Sequence, residues 1–165
     1  MGADHIVRIT ADCPLVDPLI IDEVVALHLT EKSDYTSNTL KELFPDGLDV
    51  SVFRFKALKE AWENASLASE REHVTPYIRK QRHIFKMVNL ECEKDLSAKR
   101  WTLDNLEDYE FIKFVYRACY PKNPLFGMKE VLKFLGDNPV AEEINRHIKR
   151  NEGYSKSLEA EKAPA

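Results

Sequence analysis

The fold of this 165-residue chain is decided by the stretch Ile6-Val7-Arg8-Ile9-Thr10-Ala11-Asp12-Cys13-Pro14. Four of its first five residues are β-branched, which is typical of a buried strand. Pro14 ends the strand because proline lacks the backbone N–H that a sheet ladder uses. Asp12 therefore follows the carboxyl end of the first strand. Ligands of open α/β sheets bind at that edge, so Asp12 is the first candidate for a binding residue.

A second aspartate follows a later apolar run in the same way. The stretch Arg100-Trp101-Thr102-Leu103-Asp104 is predicted as a strand that ends on Asp104. Two carboxylates at one sheet edge suggest a divalent cation and a phosphate-bearing ligand. Each also has a structural alternative, because Asp12 can cap a turn and Asp104 can cap the helix that follows it.

The remaining pattern alternates strands with helices. Strands are predicted over residues 34–38, 48–55 and 84–90, and helices after Asp17-Pro18 and over 56–65, 105–119, 128–135 and 141–149. A polar helix start with an internal proline covers residues 69–78. Asp17 can cap the helix that follows it, and Asn105 with Asp108 three residues on is similar to a capping box. In the strand 48–55, Leu48, Val50 and Val52 share one face, and Asp49 and Ser51 share the other. In the helix over 56–65, Leu58, Ala61 and Trp62 are predicted to face inward.

This order predicts one α/β domain over residues 1–150, with a mixed, mostly parallel sheet in which the first strand is central. Residues 151–165 are predicted to be a polar, disordered tail.

Composition excludes several classes of function. The net charge is −4 and no basic block precedes the tail, which argues against nucleic acid as a partner. No apolar run is long enough to cross a membrane and no signal peptide opens the chain, so we expect a cytoplasmic protein. The three cysteines have no CxxC spacing, which argues against a zinc site or a disulfide framework.

Five motifs, taken in order, resemble the spore coat polysaccharide biosynthesis protein F family. That family belongs with the cytidylyltransferases that activate sialic-acid-like and 3-deoxy-manno-octulosonate sugars. The resemblance covers roughly residues 2 to 146 and implies a Rossmann-like, nucleotide-diphospho-sugar transferase-like sheet. It rests on the stretches Ile6 to Leu15, Asp34 to Leu40, Phe44 to Val50, Arg71 to Tyr77 and Thr102 to Asp104.

The resemblance also implies roles for individual residues. Asp12 and Asp104 would hold Mg²⁺ against the phosphates of CTP. The pocket for an acidic or amino sugar would be lined by Asn38, Thr39, Asp46, Gly47 and Asp49. Arg71, Glu72 and His73 would contact the sugar or orient its loop, although a solvated helix face explains this triplet equally well. No residue is assigned as catalytic, and ordinary turn chemistry also accounts for Asp46-Gly47.

The chain departs from the family pattern in one respect. Family members begin with a strand and a glycine loop, bearing arginine and lysine, that grips the triphosphate. The five glycines here, at positions 2, 47, 127, 136 and 153, make no such loop. We therefore expect the back portion of such an enzyme, with a sheet lacking its N-terminal strands and with little or no activity alone.

Two other classes of function stay open. The chain could be a non-catalytic module that forms a homodimer or pairs with a separate N-terminal polypeptide, as half of a split enzyme. It could also be a glycosyltransferase that uses a nucleotide sugar, because that chemistry employs strand-end aspartates and a metal as well.

Overall fold

A computed structural model describes residues 2–150 and residue 159. Apart from residue 159, the predicted tail at 151–165 lies outside the described residues. The part of the chain that the structure describes contains no helix that is both long and apolar enough to span a membrane.

Four strands and six α-helices make up the described chain. The strands are β1 (His5–Arg8), β2 (Tyr35–Ser37), β3 (Ser51–Arg54) and β4 (Met87–Asn89). The helices are α1 (Pro18–Glu31), α2 (Phe55–Asn64), α3 (Ala68–His73), α4 (Pro76–Lys80), α5 (Leu106–Cys119) and α6 (Met128–Asp137). A 3-10 helix at Pro139–Glu143 and turns replace the helix predicted over 141–149.

The sheet is mixed, as predicted, with the strand order β1-β3-β2-β4. The expectation of a mostly parallel sheet is wrong for the described strands. β3 pairs antiparallel with both β1 and β2, and only β2 and β4 pair in parallel. The physical reason is that an irregular loop joins β2 to β3. An antiparallel neighbour needs no crossover helix, so β3 returns directly and inserts between β1 and β2.

Two predicted strands differ from the observed ones. β1 is an edge strand of the described sheet rather than a central one, and Val7 on it is 44% exposed. The predicted strand at 100–104 is reduced to an isolated parallel bridge between Arg100 and Asp46. Beyond that bridge, the backbone of this segment makes only single hydrogen bonds. One of them joins Leu103 N–H to the Asp12 carbonyl (2.8 Å).

The core consists of two clusters. The larger one packs α1, α5 and α6 against the face that carries Leu48, Val50 and Val52. The smaller one contains residues from β2, β3, α2 and α4, namely Tyr35, Phe53, Ala57, Ala61 and Ile78, together with Phe85. The predicted alternation along 48–52 is confirmed, because Asp49 and Ser51 line a polar pocket.

Helix α2 exposes a residue that was predicted to face inward. Ala57, Ala61 and Ala65 repeat every four residues and form the buried stripe. Trp62 lies off that stripe and is 68% exposed.

Side chains cap two helices as their sequences predict. Asp17 accepts a hydrogen bond from Leu19 N–H (2.8 Å) at the start of α1. Asn105 and Asp108 form the predicted capping box at the start of α5. Asp17 also accepts from Met128 N–H (2.7 Å), which joins the first turns of α1 and α6.

Candidate functional site

A polar pocket of about 440 Å³ lies where the end of β1, the loop that leads into β3, and the junction of α3 and α4 meet. Its polar lining residues fall into three chemical groups: carboxylates, basic side chains and hydroxyls. The hydroxyls belong to Thr10, Tyr35, Thr39, Ser51 and Thr75. The pocket can therefore offer metal ligands, anion contacts and hydrogen bonds to a polyhydroxyl ligand.

The carboxylates of the pocket are Asp12, Glu42 and Asp49. The backbone holds Asp12 in place, because its carbonyl accepts hydrogen bonds from Leu103 N–H (2.8 Å) and Thr102 Oγ1 (3.1 Å). Burial raises the pKa of Asp49 and the charges of Glu42 and Asp12 raise it further, while Arg150 opposes the shift. The three carboxylates therefore surround one space, and the charges of the other two influence the protonation of Asp49.

Arg150 neutralises part of this negative charge. Its Nη2 donates to Asp49 Oδ1 (3.1 Å), and its Nε lies 3.6 Å from Glu42 Oε1 and 3.5 Å from Asp46 Oδ1. Its Nη1 donates to the Phe44 carbonyl (3.1 Å). The sequence pattern did not point to Arg150, which borders the polar tail and lies in no motif.

The basic side chains line other parts of the pocket. They are Arg8 on β1, His73 at the end of α3, and Arg79 and Lys80 on α4. Arg79 Nη2 donates to the Thr39 carbonyl (2.6 Å), and Lys80 Nζ pairs with Glu70 (2.9 Å). The pattern at Arg8, Thr10 and Asp12 could have indicated Arg8, because alternate residues of an extended chain share a face.

A strained turn carries two of the lining residues. Val74 has φ 66° and ψ −48°, and Thr75 N–H donates to the His73 carbonyl (2.7 Å). This is the rare γ-turn with positive φ, at a β-branched residue that ordinarily avoids it. The turn separates α3 from α4, so residues 69–78 form two short helices instead of one. It also presents His73 and Thr75 to the pocket.

The structure brings together four of the predicted site residues, namely Asp12, Thr39, Asp49 and His73. Asn38 lies behind the pocket and is fully buried. Its amide donates to the Leu48 carbonyl (2.7 Å) and accepts from Val50 N–H (2.9 Å). Asn38 therefore shapes the loop that carries Asp49, and its predicted contact with the sugar stays a prediction.

Asp46 and Gly47 also lie behind the pocket. Burial raises the pKa of Asp46 to about 6, against the opposing charges of Arg150 and Arg100. Gly47 has φ 102°, and a Cβ there would lie 2.5 Å from the backbone carbonyl carbon of Trp101. The close approach of two backbones requires glycine at this position.

Arg71 and Glu72 lie away from the polar pocket. Arg71 Nη1 donates to the Ala65 carbonyl (3.0 Å) and lines a separate apolar cavity of about 600 Å³ beside Phe55 and Trp62. Glu72 is exposed, with Oε2 3.7 Å from His73 Nε2. Their predicted role at the sugar is untested.

Asp104 lies outside the pocket lining. It is half exposed and its Oδ2 accepts from Arg100 Nη2 (2.9 Å). No cluster of three histidine, cysteine, aspartate or glutamate side chains within residues 2–150 forms a metal cage. Magnesium needs no such cage, since one or two carboxylates and substrate phosphates suffice. Asp12 and Asp49 fit that requirement, and the metal role of Asp104 stays a prediction.

Comparison with known proteins gives consistent matches. The cytidylyltransferase family model matches residues 2–145. The chain is 35% identical over 151 residues to an uncharacterized protein of Methanocaldococcus jannaschii, covering 90% of this chain and 60% of that protein. It is 31% identical over 144 residues to the spore coat polysaccharide biosynthesis protein SpsF of Bacillus subtilis, covering 82% of this chain and 56% of that protein.

A solved structure of a cytidylyltransferase from Leptospira borgpetersenii matches with a TM-score of 0.81 and 31% identity. The match covers 89% of this chain and 61% of that one. The chain therefore spans a little over half the length of each of these proteins.

Proposed function

The chain belongs to the cytidylyltransferase family, and we propose that it forms the sugar- and metal-binding part of a CTP-dependent sugar nucleotidyltransferase for surface polysaccharide. The observation that carries this proposal is the polar pocket. It unites Asp12, Thr39, Asp49 and His73, which are separated by up to 61 residues (73 − 12) in sequence. The acceptor would be an acidic or amino sugar.

The proposed reaction transfers a CMP group. The oxygen of a sugar hydroxyl attacks the α-phosphorus of CTP, the bond from that phosphorus to the bridging oxygen breaks, and pyrophosphate leaves. The hydroxyl proton passes to solvent. Such transfer depends on positioning and charge neutralisation rather than on covalent chemistry by the protein. When bound, Mg²⁺ supplies polarisation of the phosphoryl oxygens.

The residues of the pocket have separate tasks in this proposal. Asp12 and Asp49 offer carboxylate oxygens to the metal, while Thr39 and Ser51 hydrogen-bond sugar hydroxyls. Asn38 holds the loop that carries Asp49 through its two hydrogen bonds to the backbone. His73, presented by the strained turn, contacts the sugar from the opposite wall.

The isolated chain is proposed to have little or no turnover. The positions of its five glycines match no glycine-rich motif for holding a triphosphate. Incubation with CTP, Mg²⁺ and candidate sugars should release almost no pyrophosphate. Robust release would contradict this part of the proposal, and transfer of sugar from a nucleotide sugar would favour a glycosyltransferase instead.

Calorimetry tests the nucleotide site directly. We expect the chain to bind CTP when Mg²⁺ is present, and we expect Asp12→Ala to lower that affinity by about tenfold or more, since it removes a charged ligand. Combining it with Asp104→Ala tests the second predicted carboxylate. Asp22→Ala, at an exposed aspartate on α1, is the matched control. Failure of the parent chain to bind CTP would contradict a nucleotide site on these residues.

A second candidate function is that of a non-catalytic interaction module, and the open edge of β1 favours it. β1 pairs on only one side within the described sheet, and Val7 and Ile9 are 44% and 42% exposed. Open strand edges of this kind accept another strand. In this candidate the partner is a chain that supplies the triphosphate loop. Co-elution with such a chain, with CTP turnover appearing only in the mixture, would support it.

A further inference from the structure

Most charges of the polar pocket already have partners within the protein. Asp49 and Glu42 face Arg150 at 3.1 and 3.6 Å. Arg79 donates to the Thr39 carbonyl, and Lys80 pairs with the nearly buried Glu70. These groups shape the pocket, and a ligand that engaged them would have to share or break an existing contact.

Arg8 and Asp12 are different. Within residues 2–150, the guanidinium of Arg8 has neither an ion pair nor a hydrogen bond, although the residue is half-buried and lines the pocket. Asp12 has no cationic partner there either, and the only hydrogen bond that its side chain accepts within these residues is a long one from Cys13 Sγ at 3.7 Å. Arg8 and Asp12 are therefore a cationic and an anionic side chain of the pocket for which the described part of the chain provides no ion pair.

Arg8 and Asp12 lie at different positions on one segment of chain that lines the pocket. Arg8 lies opposite Ser51 in the β1–β3 register, and Ser51 also lines the pocket. Arg8 and Asp12 are four positions apart in sequence, so their Cα atoms lie at most about 14 Å from each other. Thr10 lies between them on the same wall. One ligand can therefore contact both charges and the hydroxyl in between.

We propose that Arg8 binds the carboxylate of the acceptor sugar and so selects acidic sugars over neutral ones. This inference rests on the proposed function, which assigns the Asp12 end to the metal and the phosphates. A guanidinium suits this task because its planar fork donates two parallel hydrogen bonds to a carboxylate. Because no partner among residues 2–150 has to be displaced, the guanidinium is available to the ligand.

The test compares an acidic sugar with its uncharged ester. N-acetylneuraminate and its methyl ester are titrated calorimetrically into the chain with CTP and Mg²⁺ present, and into the Arg8→Gln, Arg8→Lys and Arg117→Gln variants. Arg8→Gln should lower the affinity for the acid by about tenfold or more, the usual effect of losing a charged hydrogen bond. The affinity for the ester and for CTP should change less than twofold, and Arg8→Lys should recover part of the loss.

Arg117 is the matched control because it is an exposed arginine on α5, outside the pocket. Thermal unfolding of each variant establishes that it is folded. Equal losses for acid and ester, a loss confined to CTP, or no binding of the acid by the parent chain would overturn the proposal. In the last case, retained CTP binding would leave the proposed function standing, so the two failures are distinguishable.

Discussion

Arg150 donates a hydrogen bond to Asp49 across 101 residues of chain, with Nη2 and Oδ1 3.1 Å apart. The arginine side chain is only 14% exposed, and Glu42 and Asp46 lie within 3.6 Å of its Nε. Asp49 lines the polar pocket, whereas Arg150 belongs to none of the motifs. The charge of the pocket therefore depends on a residue next to the tail.

Replacing Arg150 by glutamine should raise the pKa of Asp49 above its value in the parent chain. Burial and the neighbouring carboxylates already raise that pKa, and Arg150 opposes them. The measurement is a ¹³C NMR titration of the Asp49 carboxyl. Arg146→Gln is the control, because Arg146 pairs with Glu143 on the surface. An unchanged Asp49 titration in Arg150→Gln would contradict the coupling.

Gly47→Ala should destabilise the protein by more than about 1 kcal/mol. The added Cβ would meet the Trp101 and Thr102 backbones at 2.5 Å, and φ 102° is unfavourable for alanine. Urea unfolding measures the difference.

Gly136→Ala provides a matched control for Gly47→Ala. A Cβ at Gly136 meets nothing within 4 Å, and the residue lies in α6. Alanine there should stabilise by about 0.5–1 kcal/mol, since glycine is a poor helix former. Similar effects at both glycines would show that the close approach at Gly47 is not what matters.

Arg100→Leu should cost about 3–5 kcal/mol of unfolding free energy, because it leaves a buried charge uncompensated. Arg100 Nη2 lies 2.8 Å from Oδ2 of Asp108, a side chain with no exposed surface. Asp104→Asn is the comparison, since it weakens a pair that is half exposed on the aspartate side. We expect it to cost about 0–1 kcal/mol. Equal losses of unfolding free energy for Arg100→Leu and Asp104→Asn, measured by urea unfolding, would contradict the importance of the buried pair.

His28 should make stability depend on pH. It is fully buried and contacts His5, Ser33 and Thr36 through hydrogen bonds of 3.0–3.1 Å. Burial lowers its pKa below the ordinary value of 6.5, and the charges of His5 and Arg54 lower it further. The unfolded chain then binds the proton more tightly than the folded one. The stability contributed by neutral His28 is present above pH 6.5 and is lost as pH falls toward the folded pKa.

The measurement is the free energy of unfolding of the parent chain and of His28→Gln from about pH 7 to about pH 5, the range in which a histidine changes charge. The parent should lose more stability than the variant over this range. His83→Gln, at an exposed histidine, should behave like the parent. Parallel curves for the parent and His28→Gln would contradict the prediction.

Local pattern predicted several elements well. The capping box at Asn105 and Asp108, the alternation along 48–52 and the position of Asp12 after β1 all follow from residues that are neighbours in sequence. The pattern failed at Trp62 and at the edge position of β1. Neither outcome is encoded locally, because burial depends on which other element packs against each face.

The sequence by itself determined the family, the α/β class and four of the residues that line the polar pocket, since motifs and periodicity depend on local order. Only the tertiary structure decided which charged side chains form ion pairs within the described chain and which do not. Arg150 reaches Asp49, Arg100 holds Asp104, and Arg8 is left without a partner in the described chain. The physical reason is that an ion pair requires two groups within about 4 Å, and the folding of distant segments onto one another sets that distance.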